Sequence, residues 1–142
     1  MEATALLLAG LGTAVLTVLI LFFLGVNFRP LPTHGAALYN AKTETTVTGV
    51  VLETRDFPCP VSDGEMESHL TLKTTDAEMI VHLAPGRIMR SQKIVFAPGD
   101  QIIVNGSLGR VVGNNDLIAR EIVRGQNDYV VREATGKLVL EQ

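Results

Sequence analysis

His69, His82 and Cys59 are the side chains of this 142-residue chain best suited to chemistry. A turn centred on Asp76-Ala77 would fold HLTLKT (69–74) against EMIVHLA (78–84). Thr71 then stands opposite His82, and His69 is its diagonal neighbour on the same strand face. Diagonal neighbours lie about 7–8 Å apart, within reach of long side chains. Cys59, Met66 and Met89 are near enough in sequence to complete a soft site for copper. The plainer alternative puts both imidazoles on the polar side of the hairpin, bonded to solvent or neighbours. The spacing matches no established His/Cys zinc pattern. The expectation is therefore no metal and no cofactor, with His69 and His82 the candidates if an ion is held.

No catalytic set is legible. Ser62, Ser68, Ser91 and Ser107 lack a Gly-x-Ser-x-Gly setting, and no third group organises a histidine. Asp63 and Glu65 flank Gly64 and read as turn residues. Gly106 and Gly109 lie between strands and open no helix, so there is no phosphate loop. Cys59 sits between Pro58 and Pro60, which predicts an extended, exposed loop, and reactivity there would need a nearby cation. The chain is expected not to be an enzyme. Nucleic acid is excluded on charge and aromatics: 12 basic against 15 acidic residues, and 5% aromatic content, fall short of a cationic groove with stacking rings. Arg87, Arg90 and Lys93 read as a solvated face or a membrane-proximal contact.

What positions these residues begins with an apolar run. Between Ala3 and Phe28 there is no Asp, Glu, Lys or Arg, and about 20 such residues suffice for a helix to cross a bilayer. Its backbone must then be satisfied within the segment. A cleaved signal peptide would have a basic start and an apolar core of about 7–15 residues; here the start is Met1-Glu2-Ala3 and the core is longer. Residues 1–28 are therefore expected to be a retained transmembrane anchor. Ala5, Ala9, Gly10, Thr13, Ala14 and Thr17 form a strip of small side chains, which lets helices pack closely in lipid. Residues 29–42, with Pro30, Pro32 and Gly35, read as a stiff linker. Arg29, His34 and Lys42 follow the anchor, a charge bias that by itself favours a cytoplasmic domain.

Residues 43–142 read as one small β domain. The β-branched run TETTVTGVVLETRDF (43–57) is a strand, with Gly49 marking a bulge or bend. Pro58 to Ser68 reads as a loop, the two segments after it as a hairpin, and GRIMRSQKIVF (86–96) as the place for a short helix. DQIIVNGSL, DLIAREIVRG and a YVVREATGKLVL hairpin supply further strands. This order is that of an OB-fold, a five-stranded barrel with a helix between its third and fourth strands.

The segments His69 to Thr74, Val81 to Pro85, Gly99-Asp100 and Ala119 to Glu121 resemble a group of small bacterial extracytoplasmic OB-fold proteins of undefined activity. The resemblance spans most of residues 43–140, and the chain departs from it in having no Trp near its end. It implies an OB-like, mainly β domain outside the cytoplasm, and on topology it outweighs the few linker charges. The resulting expectation is a single-pass protein of the bacterial inner membrane with a periplasmic domain. Its job is that of a non-catalytic accessory or scaffolding subunit contacting the bilayer and other membrane subunits. The alternative is a membrane-tethered metal or ligand carrier using His69 and His82.

Overall fold

A computed structural model describes residues 38–111 and 114–139. Strand β1 (Glu44–Pro58) serves two neighbours. Its first half pairs with β4 (Gln101–Val111), from Glu44 opposite Ser107 to Val50 opposite Gln101; its second half pairs with β2 (Met66–Lys73), from Val50 opposite Lys73 to Pro58 opposite Met66. Gly49 lies at the changeover. A Cβ there would stand 2.5 Å from the Lys73 carbonyl oxygen, so only glycine lets the strands approach this closely. A bulge at Leu52 follows, and the bend expected from the glycine is present.

Strand β3 (Glu78–Pro85) returns antiparallel to β2, α1 (Gly86–Ser91) follows, and β5 (Asn114–Arg124) pairs antiparallel with β4. A short parallel contact, Val81 opposite Leu117 and His82 opposite Ile118, joins β3 to β5 and closes the sheet. Strand β6 (Asn127–Val130) pairs with β5. The order β3-β2-β1-β4-β5, closed on itself, with the helix between β3 and β4, is OB-like. Leu70, Leu72, Val81, Leu83, Ile102, Val104, Leu117 and Ile122 fill the barrel. Burying such a set is the main favourable term for a domain this size.

Several local expectations change. The terminal hairpin is short: among the described residues a bridge joins Arg132 to Leu138, flanked by backbone bonds from Glu133 to the Lys137 carbonyl and from Val139 to the Val131 carbonyl. The loop before β2 is shorter than read, since β1 reaches Pro58 and β2 starts at Met66. The arginines of helix α1 do lie on a solvated face, where Arg87 pairs with Glu65 and Arg90 with Asp56. Tyr39, ahead of β1, is buried, and the Asn40 amide donates to Ser107 Oγ. Among the described residues no helix is long and apolar enough to cross a membrane. The expected anchor at residues 1–28, with Ala5, Ala9, Gly10, Thr13, Ala14 and Thr17, lies outside the described residues.

Candidate metal centre

Alternation along a strand gives the barrel two sides, and the second side carries the site. Leu70, Leu72, Val81 and Leu83 point into the core. His69 and His82 point the other way, yet they are buried, covered by a second apolar cluster of Tyr39, Cys59, Val61, Val111 and Ile118. The exposed polar face expected for them is therefore not what forms. The reason is the segment after β1: a 3-10 turn at Pro60–Ser62 folds back over the sheet. Backbone bonds from Ser62 and Gly64 to the Cys59 carbonyl, and from Cys59 to the Glu65 carbonyl, tie the turn down. Asp63 and Gly64 complete it with positive φ. Cys59 thus ends buried, not exposed, because its loop is a lid on the hairpin.

The two histidines face each other directly. His69 pairs with His82 across β2 and β3, and Thr71 with Ile80, so the register differs from the expected diagonal. Next to this pair Leu83 and Ala84 of β3 stand opposite the single Ser68, a bulge. Bulges re-aim side chains beside functional sites, and here Glu67 joins the histidines on the same side. His82 Nδ1 lies 2.9 Å from His69 Nε2, 3.0 Å from Glu67 Oε2 and 3.2 Å from Cys59 Sγ. His69 Nε2 is 3.1 Å from Glu67 Oε2. One donor atom from each of Cys59, Glu67, His69 and His82 falls within 4.8 Å of the others, and all four residues are buried.

A surrounding layer holds these groups. His82 Nε2 donates to Asp116 Oδ2 at 2.9 Å, which leaves the Nδ1 lone pair aimed into the cluster. Arg132, buried at 2% exposure, donates to Glu67 Oε1 at 3.2 Å, to the Ala119 carbonyl at 2.7 Å and to the Leu83 carbonyl. It gets there because a bulge on β5 at Arg120 supplies the carbonyl that binds the Val131 and Arg132 amides. His69 is oriented by stacking: the Phe57 ring lies flat on it, centroids 3.6 Å apart. Its Nδ1 has no hydrogen-bond partner among the described residues.

Such convergence of acceptors demands positive charge at its centre. Burial alone would push the Glu67 carboxyl up, but hydrogen bonds from His69 and His82 and the Arg132 charge hold it far below the usual carboxylate range. Burial likewise disfavours a charged His82, yet its bonds to Cys59, Glu67 and Asp116 prevail and hold its pKa at about 10. His69 is raised, burial opposing and Cys59 and Glu67 prevailing; Cys59 is lowered by the two imidazoles despite its burial. Protons on the histidines or a cation between the ligands can satisfy the cluster. Thiolate and carboxylate bring two negative charges, while Asp116 and Arg132 offset one another, so one divalent ion would neutralise the site. The separations of 2.9, 3.0 and 3.2 Å about His82 Nδ1 would need to lengthen by a few tenths of an ångström to fit a tetrahedral ion with bonds of about 2.0–2.3 Å.

Cys59, His82 and Asp116 also line up as thiol, imidazole and carboxylate, the order of a nucleophilic triad. Cys59 is 1% exposed, and Glu67 and His69 crowd the space a substrate would need. Met66 is exposed and Met89 lies in the barrel core, so neither joins the cluster. Glu67, Asp116 and Arg132 were not read from sequence. Glu67 was discoverable, since two residues before His69 it shares a strand face; Asp116 and Arg132 carry no local signal.

The model of the MamS/MamX magnetosome protein family matches residues 43–129, more than half of the chain. The chain belongs to that family. The MamS/MamX match runs from the start of β1 into β6 and includes all four donor residues and Asp116, with Arg132 just beyond it. No curated protein matches the chain. A solved structure, described as the crystal structure of the S. pombe Stn1-ten1 complex, is similar at 16% identity and a TM-score of 0.46. The match covers 59% of this chain and 59% of that one.

Proposed function

We propose that this MamS/MamX domain is a non-catalytic accessory module that holds one divalent transition-metal ion through Cys59, Glu67, His69 and His82. The observation that carries the reading is the convergence of these four buried donors within 4.8 Å. Around them, Asp116 fixes the tautomer of one imidazole and Arg132 engages the spare carboxylate oxygen. Carboxylate–histidine pairs of this kind orient ligands in metal sites. Thiolate, imidazole and carboxylate donors suit zinc-like and later first-row ions better than calcium or magnesium. The four donors leave no open coordination position, which supports holding over hydrolysis.

Titration of the metal-stripped full chain with Co(II) tests this. One equivalent should bind with an intense thiolate-to-cobalt band, and Cys59→Ser should lose the band. His82→Asn should weaken uptake. A wild-type chain that takes up no cobalt or zinc overturns the reading.

The setting we propose is a magnetosome-associated bacterial membrane assembly. The charge-free run from Ala3 to Phe28 supports a membrane anchor, its small-residue strip supports contact with other membrane helices, and the family's name supports the compartment. In this arrangement the domain stands on the extracytoplasmic side. Mild-detergent purification with mass spectrometry should recover stoichiometric partner subunits; a monomer alone, or release by alkaline carbonate, would count against it. A C-terminal fusion reporter decides the side.

A further inference from the structure

Of the four donor residues, one is separated from solvent by a single ring. His69 is 2% exposed, and Phe57, stacked on it with planes 5° apart, is 39% exposed. Cys59 is enclosed with Val61 and Ile118, Glu67 is held by Arg132, and His82 is backed by Asp116. A substrate has no way to an ion held here. An electron has a short one, through two stacked rings.

The donors point the same way. One thiolate and two imidazoles with a weaker fourth ligand are the set with which proteins hold copper for electron transfer, tuning it through that fourth ligand. Glu67 suits the fourth position: Oε1 is taken by Arg132 Nη2, so only Oε2 faces the cluster and the carboxylate cannot chelate. The buried sulfur is also shielded from the solution oxidants that attack exposed thiolates.

Building on the metal-holding reading, we propose that the ion is copper and that the centre transfers single electrons through His69 and Phe57. In the step, Cu(I) gives one electron to a one-electron acceptor and becomes Cu(II). The acceptor is reduced by one electron, no ligand bond forms or breaks, and no proton leaves. The natural acceptor or donor is a one-electron redox protein that docks against the Phe57 edge.

The full-length chain, stripped and loaded anaerobically with one equivalent of Cu(I), is oxidised with ferricyanide. One equivalent should be consumed, with the rise of an intense thiolate-to-Cu(II) absorption that ascorbate abolishes and ferricyanide restores. Copper-loaded Cys59→Ser should lack the band. Copper-loaded Phe57→Leu and Phe57→Ala should keep the band but exchange electrons more slowly with a hexaammineruthenium couple; unchanged rates in both overturn the path through Phe57. A chain that binds Co(II) through its thiolate, yet shows no reversible copper band or consumes several oxidising equivalents irreversibly, overturns the redox proposal and leaves the holding reading standing. Failure to bind any of these ions rejects both.

Discussion

Asp116 and Arg132 are both buried and bear on the centre through the groups they hold. Asp116 accepts from His82 Nε2, so it selects the tautomer whose Nδ1 can bind an ion. Asp116→Asn should lower metal affinity roughly 10–100-fold, the usual effect of losing such a partner, as read by competition with a chelator; equal affinity would remove Asp116 from the site. Arg132 is a buried charge whose anionic partner is Glu67. Glu67→Gln leaves that guanidinium uncompensated and should destabilise the domain by about 3–5 kcal/mol, the cost of breaking a buried pair from one side. Urea unfolding measures it. Replacing both at once, Glu67→Gln with Arg132→Met, should recover part of the loss, because the penalty lies in the orphaned charge.

Among the elements, close strand crossings and the turn lid set the shape. Gly106 sits where β4 meets the bulge of β5, and a Cβ there would stand 2.3 Å from the Ile118 carbonyl oxygen. Gly106→Ala should therefore cost about 1–3 kcal/mol through overpacking; a urea midpoint equal to wild type would show that the strands can part. Ahead of β1, the Tyr39 hydroxyl donates to Glu44 Oε1, and burial together with that carboxylate pushes its pKa up to about 12. The folded value lies above the ordinary value of 10.0. Between those limits the unfolded chain loses the proton while the folded chain keeps it. Stability should be full below pH 10 and fall as pH rises toward 12. Tyr39→Phe should flatten that decline, with thermal melts across the range as the measurement.

For the whole molecule, an ion that binds the folded chain and not the unfolded one stabilises it by mass action. At free metal 100-fold above Kd the gain is about 2.7 kcal/mol. Melting temperature should rise with added Zn(II) or Cu(I) and fall with chelator, and Cys59→Ser should blunt the response. A melting curve indifferent to metal would place any ion elsewhere. The barrel otherwise stands on its apolar interior, which the donor cluster does not enter.

Barrel strands and their order were written locally. The β-branched run with Gly49, the alternation of Leu70 and Leu72 with polar neighbours, and the helix-sized gap before Gln101 each follow from short-range sterics and period. His69 and His82 stood out by residue type alone, and Glu67 was within reach as the second residue before His69. Burial of the pair was not. It depends on a 3-10 turn folding Cys59 over the sheet and on a two-residue shift in hairpin register that sets His69 directly opposite His82. Asp116 and Arg132 arrive from positions 34 and 65 residues away from the groups they hold. Periodicity reports which face a residue takes on its own strand. Which distant chain covers that face is decided only when the barrel closes, because long-range contacts carry no local signature.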